Sequence, residues 1–395
     1  MPQYSRTIES TDRSHLSFSA VAIVIVFFLV TSQVFILRLP PIATQVFRPL
    51  LIVMFLIHMQ HSGSIQQPSR IFAFFVAIHA LVVLLFNRSL WSQDNILEGV
   101  AVALYFMMFS LAIGVNWSKK ELRRILFASF LGCFVCAVAL LASNNPTDLN
   151  AASAGHLNLM GIEVNRNKNA YQYSFGVVLG MLYLLRGRRI PKPLVFLMTA
   201  VIGYALMYSQ CRGAFLSFVG GATVLFISLI LEARRKSGNK AFAYAILLVI
   251  SYVIIYYLLK NSDLSRLVDT DSTSGRDGGI EDAWRLFLNS DWFEKLFGNG
   301  FGYEASQIEG IGAHFVYVGY LVSMGLIGTA LTILVIISSG RYLFGAGAYS
   351  LFTTAVLKTF FEGADYNVFI PLILAVSISN YLKITGKRDY DLFSR

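Results

Sequence analysis

PLVFLMTAVIGYALMYSQCRGAFLSFVGGATVLFISLILEARRK, residues 193–236, holds two apolar runs joined by a short SQCRG junction and closed by a basic ARRK. About 17 to 25 largely apolar residues are enough to cross the hydrocarbon core as a helix, and each run meets that length. The segment therefore reads as a hairpin of two spanning helices. Its basic end belongs on the cytoplasmic side, because Lys and Arg in short loops set orientation. Arg212 is then left at the opposite interface, where a guanidinium is costly without an anionic partner. Its planar, five-donor fork suits a carboxylate or a phosphate.

The same pattern repeats along the whole chain. Of its 395 residues 56% are hydrophobic and 14% charged, and the mean hydropathy is +0.62, far from a soluble composition. The expected fold is an all-α polytopic membrane protein of about twelve transmembrane helices with a small helical periplasmic loop cap. The helices fall near 18–37, 41–58, 71–87, 97–115, 123–143, 170–185, 193–209, 213–231, 241–259, 314–338, 341–357 and 366–383. The first run is full length and lacks a small-residue cleavage pattern, so it is expected to stay as an anchor.

Basic clusters at Lys119 to Arg124, Arg186 to Lys192, Arg234 to Lys240 and Lys383 to Arg388 fall in alternate loops and in the C-terminal tail. Twelve helices with both termini cytoplasmic satisfy all four. The net charge of +10 is then a topology signal, and no nucleic-acid partner is implied. Residues 1–395 read as a single transmembrane domain without internal repeat. Cys133 and Cys136 form a C-x-x-C inside an apolar helix with no surrounding βαβ pattern, which reads as packing. Cys211 reads as a free thiol or a packing residue.

Two outer loops depart from the hairpin pattern, approximately 144–169 and 260–313. Loops longer than about 12 to 15 residues are usually functional or disordered. In the second, EDAWRLFLNSDWFEKLF (281–297) spaces Trp284, Phe287, Leu288 and Phe293 at roughly helical intervals, the signature of an amphipathic helix at the interface. These loops collect Arg166, Lys168, Arg212, Arg276, Arg285 and the titratable His314. Small neighbours of Arg212 and Arg276 leave room for close approach of a ligand, whereas snorkelling to headgroups is an equal reading for Lys168 and Arg285. His314 is a candidate general base, with a structural histidine as the alternative. Histidines and carboxylates do not cluster with ligand spacing, so no metal and no cofactor is expected. GNGFG at 298–302 reads as a tight turn, since no Rossmann helix follows it. Glu362 and Asp365 in FFEGADYN read as solvated loop charges that could orient the base.

Taken in order, CRGAF (211–215), SGRDGGIEDAW (274–284), LFGNGFG (296–302) and AHFVYVGYLVSMGLIG (313–328), with a weaker echo in NRNKNAYQYSFG (165–176), resemble the O-antigen ligase and polymerase family of bacterial envelope glycosyltransferases. The family commonly has Asn after the histidine of the last motif, and here Phe315 follows His314. The resemblance implies a many-helix bundle with a periplasmic cap in the bacterial inner membrane. It implies an inverting, metal-independent transfer of a glycan from undecaprenyl diphosphate to an acceptor hydroxyl, on lipid A core or on a growing polysaccharide. Carried across motif by motif, Arg212 and Arg276 would bind the diphosphate, with Arg166 and Lys168 as further candidates. His314 would activate or hold the acceptor. The competing expectation is a flippase or other polysaccharide transporter, which would call for charged or broken helices near mid-membrane. A scaffold would have no use for cations beside small residues.

Overall fold

The computed structural model describes residues 18–32, 41–87, 92–144, 156–187, 190–234, 276–303, 316–360, 366–387 and 392–393, with single positions between 242 and 249. The described helices are α1 (Phe18–Ser32), α2 (Pro41–Ser62), α3 (Pro68–Phe86), α4 (Gln93–Ala112), α5 (Lys119–Ser143), α6 (Arg166–Arg186), α7 (Lys192–Tyr208) and α8 (Arg212–Arg234). They continue with α9 (Arg276–Asn289), α10 (Trp292–Phe297), α11 (Val316–Arg341), α12 (Ala346–Thr359) and α13 (Tyr366–Thr385). The expected helix over 241–259 lies outside the described residues apart from those single positions. Each of the other expected helices has a counterpart, with ends shifted by a few residues.

Local chemistry accounts for the helix starts. Ser118 and Glu121 form a capping box, with Glu121 N donating to Ser118 Oγ (3.3 Å) and Ser118 N to Glu121 Oε2 (3.0 Å), which carries α5 back beyond its apolar run to Lys119. Ser92 Oγ accepts from Asn95 N at 3.2 Å and opens α4. Pro68 opens α3 where no amide proton is needed.

Five described helices are long and apolar enough to cross a membrane: Pro68–Phe86, Asn95–Ala112, Lys119–Ser143, Arg212–Arg234 and Tyr317–Arg341. Shorter apolar helices accompany them at Phe18–Ser32, Pro49–Ser62, Lys192–Tyr208 and Phe369–Thr385. The bundle is apolar outside as well as inside. Phe74, Phe75, Ile78, Phe196, Leu197, Leu326 and Ile337 are exposed, while Ser129, Ser217, Ser350 and Thr354 are buried. That distribution suits lipid as the outer solvent. Buried hydroxyls donate to the carbonyl one turn back, as in Thr199 to Val195 O (2.7 Å), Ser217 to Gly213 O (2.8 Å) and Thr354 to Ser350 O (2.9 Å), so no separate partner is required in an apolar medium. The protein is thus a predominantly helical membrane protein.

Basic residues gather at one end of the bundle. Arg186 at the end of α6 pairs with Glu232 at the end of α8. Lys192 at the start of α7 donates to Tyr183 O at 3.0 Å. Arg123 of α5 donates to Leu392 O, and the Phe393 ring meets Tyr183 edge-on at 5.3 Å. The C-terminal Leu392 and Phe393 are thereby buried against α5 and α6.

The opposite end carries a two-stranded antiparallel hairpin, β1 (His156–Leu159) and β2 (Ile162–Asn165), within the first of the two long outer loops. Met160 (φ 53°) and Gly161 (φ 89°) form its two-residue turn, both in the left-handed region that such hairpins require. Asn144, just past α5, accepts from Asn158 N at 3.1 Å and donates to Asn158 O at 2.6 Å. Leu159 is buried beneath it.

The amphipathic stretch over 281–297 divides in two. Asp291 caps α10 with its own capping box to Glu294. On α9, Ala283 and Phe287 pack against Val318 and Val322 of α11, whereas Trp284 and Leu288 face outward; the four apolar residues expected on one face thus split between two.

Helix α11 is broken at Gly325 (φ 66°, ψ −170°), and the GNGFG turn is seated in the break. Asn299 N donates to Val322 O (2.8 Å), Gly300 N to Ser323 O (3.1 Å) and His79 Nε2 to Met324 O (2.8 Å). These are three consecutive carbonyls that an unbroken helix would have used for its own ladder. Irregular backbone at membrane depth is tolerated when protein buries it and satisfies its polar groups, and here that condition is met.

Candidate functional site

Arg212 is the first residue of α8, and the junction before it is buried: Tyr208, Ser209, Gln210 and Cys211 are all nearly inaccessible. Ser209 N donates to Ala205 O (3.0 Å), Gln210 N to Met207 O (3.0 Å), and Phe215 N to Cys211 O (3.0 Å), closing one helix and opening the next. Gln210 is held at φ 49°, a conformation that costs a non-glycine residue about 1 to 2 kcal/mol. Such strain persists only where packing over-determines it, and it concentrates at functional sites.

Arg166 opens α6, because the hairpin runs directly from Asn165 into the helix. Lys168 lies in the same first turn. The sequence places both in a loop, and the helix instead starts four residues earlier than its apolar run. Helices α6 and α8 are parallel neighbours: Val178 lies against Gly221, and Arg186 pairs with Glu232 further along. From that shared level the helical rise carries Arg166 about 18 Å and Arg212 about 14 Å toward the same end of the bundle.

Two parallel helices therefore present their amino termini, each headed by an arginine, at the end opposite the basic loops. Neither has an acidic residue in its first turn. The amino end of a helix already carries about half a positive charge, and an added cation there is unfavourable by about 0.3 to 1 kcal/mol. An anion bound at this end would meet both helix termini and the arginines that head them.

Two further residues at this end escaped the sequence reading. Lys358, in the last turn of α12, is 1% exposed, and its Nζ lies 5.0 Å from the centre of the Tyr171 ring of α6. Asn169, one residue past Lys168, is 2% exposed and its Nδ2 has no hydrogen-bond partner among the described residues. Lys358 was legible in principle as a lone cation abutting the apolar run AGAYSLFTTAVL. Asn169 carried no signal beyond its place among polar neighbours.

The remaining site residues are placed less completely. Arg276 heads α9, which packs on α11. His314 lies outside the described residues, as do Glu362 and Asp365. The chain enters α11 beside the end of α12, where the Tyr317 hydroxyl donates to Thr359 Oγ1 (2.9 Å) and that hydroxyl in turn donates to Val356 O (2.6 Å). Among the described residues no group of three His, Cys, Asp or Glu is arranged to hold a metal ion. The three cysteines are buried and none is in a disulfide.

Fold and site together define a helical membrane protein with a cation-headed, donor-rich end. No family model matches the chain, and no curated protein matches it.

Proposed function

We propose that this protein is a membrane glycosyltransferase of the O-antigen ligase and polymerase type, transferring a glycan from undecaprenyl diphosphate to an acceptor hydroxyl. The observation that carries the reading is the pair of arginine-headed amino termini of α6 and α8 at the end away from the basic loops. With the positive-inside rule, that end is periplasmic, both termini are cytoplasmic and the bundle has twelve spans in the inner membrane.

The chemistry follows from the charges. The acceptor oxygen attacks the anomeric carbon, the bond from that carbon to the phosphate oxygen breaks, and the diphosphate leaves with the electron pair. Fixed donors aimed at the developing charge stabilise it best in a water-poor site. Arg212 and Arg276, with Arg166 and Lys168, would hold the diphosphate. His314 would take the acceptor proton, a step worth about 10² to 10⁴ in rate.

The transporter reading has one structural feature in its favour, the break in α11. A transporter uses the carbonyls freed by such a break to line a path. Here Val322, Ser323 and Met324 have theirs occupied by Asn299, Gly300 and His79, which favours a fixed scaffold.

The test is the surface polysaccharide profile of a strain lacking the gene, complemented with wild type or with His314→Ala at equal protein level. Product restored by wild type alone supports transfer through His314. Polymer stranded on the lipid carrier then marks a ligase, and single repeat units mark a polymerase. Full restoration by His314→Ala removes the histidine from catalysis.

A further inference from the structure

Helix α13 ends at Thr385, and the chain leaves the bundle there before it comes back. Lys383 to Lys387 are all exposed, and Gly386 turns at φ 62° with nothing within 4 Å of a Cβ at that position. Leu392 and Phe393, a few residues on, are 0% and 4% exposed. An exposed exit followed by a buried apolar pair is the layout of a strap, in which burial of the two side chains supplies the holding force.

Two helices other than α13 build the seat of that pair. Arg123, near the start of α5, donates from Nε to Leu392 O. The Phe393 ring meets Tyr183 of α6 edge-on, with centroids 5.3 Å apart, a favoured aromatic geometry. Tyr183 in turn packs on Phe127 and Phe130 of α5, at 6.3 and 5.5 Å. Its carbonyl is fixed as well, accepting from Gly187 N (2.8 Å) and Lys192 Nζ (3.0 Å). Helix α13 itself packs chiefly on α12 and only lightly on α5 and α6, so the pair reaches a junction that its own helix hardly touches. A hydrogen bond from a charged donor is about twice as strong as a neutral one. Even so, two side chains and one such bond are little beside a whole bundle, and a unit of that size can open while the helices stay folded.

We propose that Leu392 and Phe393 form a releasable strap that clamps the ends of α5 and α6 together at the end of the bundle carrying the basic loops. When the strap is seated, Arg123 and Tyr183 are bridged through it, one from each helix. When it is released, the guanidinium loses this carbonyl and Tyr183 loses an aromatic neighbour, so the two helix ends are freer to move apart. The device is conformational and independent of the chemistry proposed for the opposite end.

The test uses the full-length protein in lipid nanodiscs. Chymotrypsin can cut after Leu392 or Phe393 only when the strap is out of its seat, and the cut rate reports the open population when opening and closing are fast. Wild type should be cut there at least about tenfold more slowly than a synthetic peptide of residues 386–395. Arg123→Gln removes the charged donor and should raise the rate by about ten- to hundredfold. Clamping is read separately, from the distance between nitroxides at Arg124→Cys and Leu185→Cys in a chain with Cys133, Cys136 and Cys211 replaced by alanine. That distance should lengthen or broaden in Phe393→Ala and recover in Phe393→Tyr. If wild type is cut as fast as the peptide, the strap is not seated and the proposal fails. An unchanged cut rate in Arg123→Gln would remove α5 from the clamp. Slow cutting with the same label distance in Phe393→Ala would make the pair a passive plug and overturn the clamp. Should Phe393→Ala not fold, Arg123→Gln carrying the same labels decides by the same criteria.

Discussion

Replacing Gly298 with alanine tests whether the glycine turn truly holds the broken helix together. Gly298 lies at φ 98°, ψ 156°, a region open essentially to glycine, where another residue incurs about 1 to 3 kcal/mol of strain. Its added Cβ would press on the Ser323 carbonyl and lie 2.6 Å from Met324 Cα, both backbone positions that cannot swing aside. The turn must withdraw, and with it go the Asn299 and Gly300 donors to Val322 O and Ser323 O. Each buried carbonyl left unmet adds about 1 to 3 kcal/mol, so the variant should lose roughly 3 kcal/mol or more. Gly161 is the control: its φ of 89° is equally left-handed, but no described atom lies within 4 Å of a Cβ there. Gly161→Ala should lose only the local strain, about 1 to 2 kcal/mol. Reversible unfolding of the two variants in mixed micelles, followed by circular dichroism, gives both numbers. Equal destabilisation would refute the argument, because it would mean that backbone conformation alone matters and the seated turn contributes nothing.

Other perturbations probe neighbouring parts of the same structure. His79→Leu removes the donor to Met324 O and should destabilise by about 1 to 3 kcal/mol in the same unfolding assay. Arg212→Lys keeps charge but loses the bidentate fork; polysaccharide output should fall by about 10² to 10³, while Arg189→Lys in a basic loop leaves it unchanged. Gly221→Val would drive a side chain into Thr354 and part α12 from α8, so it should lower the melting temperature.

The helices were legible because their driving force is composition: an apolar run of sufficient length has few alternatives in lipid. Their ends were less legible, since caps rather than hydropathy decide them. Ser118 and Glu121 extend α5 into charged residues, and the hairpin feeds α6 at Arg166 four residues ahead of its apolar run. The hairpin itself escaped because Met160 and Gly161 replace the Asn-Gly pair that announces such a turn, and because docking through Asn144, rather than strand propensity, secures it. Likewise the split of the cap helix follows from Asp291, whose capping role shows only once a helix is known to begin after it.

Legibility of the site follows a different rule. Arg212 could be singled out because positive-inside bookkeeping makes an outer cation anomalous, and that logic needs only the sequence. Lys358 obeys the same logic in principle, yet a lysine abutting an apolar run normally snorkels, and nothing in AVLKTFF says that this one is turned inward. What turns it is the pair Gly220 and Gly221, more than 130 residues earlier in the chain, which let α12 approach until the lysine has no path to the outside. A buried cation in a membrane bundle is thus specified by the glycines of its neighbour as much as by its own position. Filling that gap at Gly221 should release Lys358 outward without touching it.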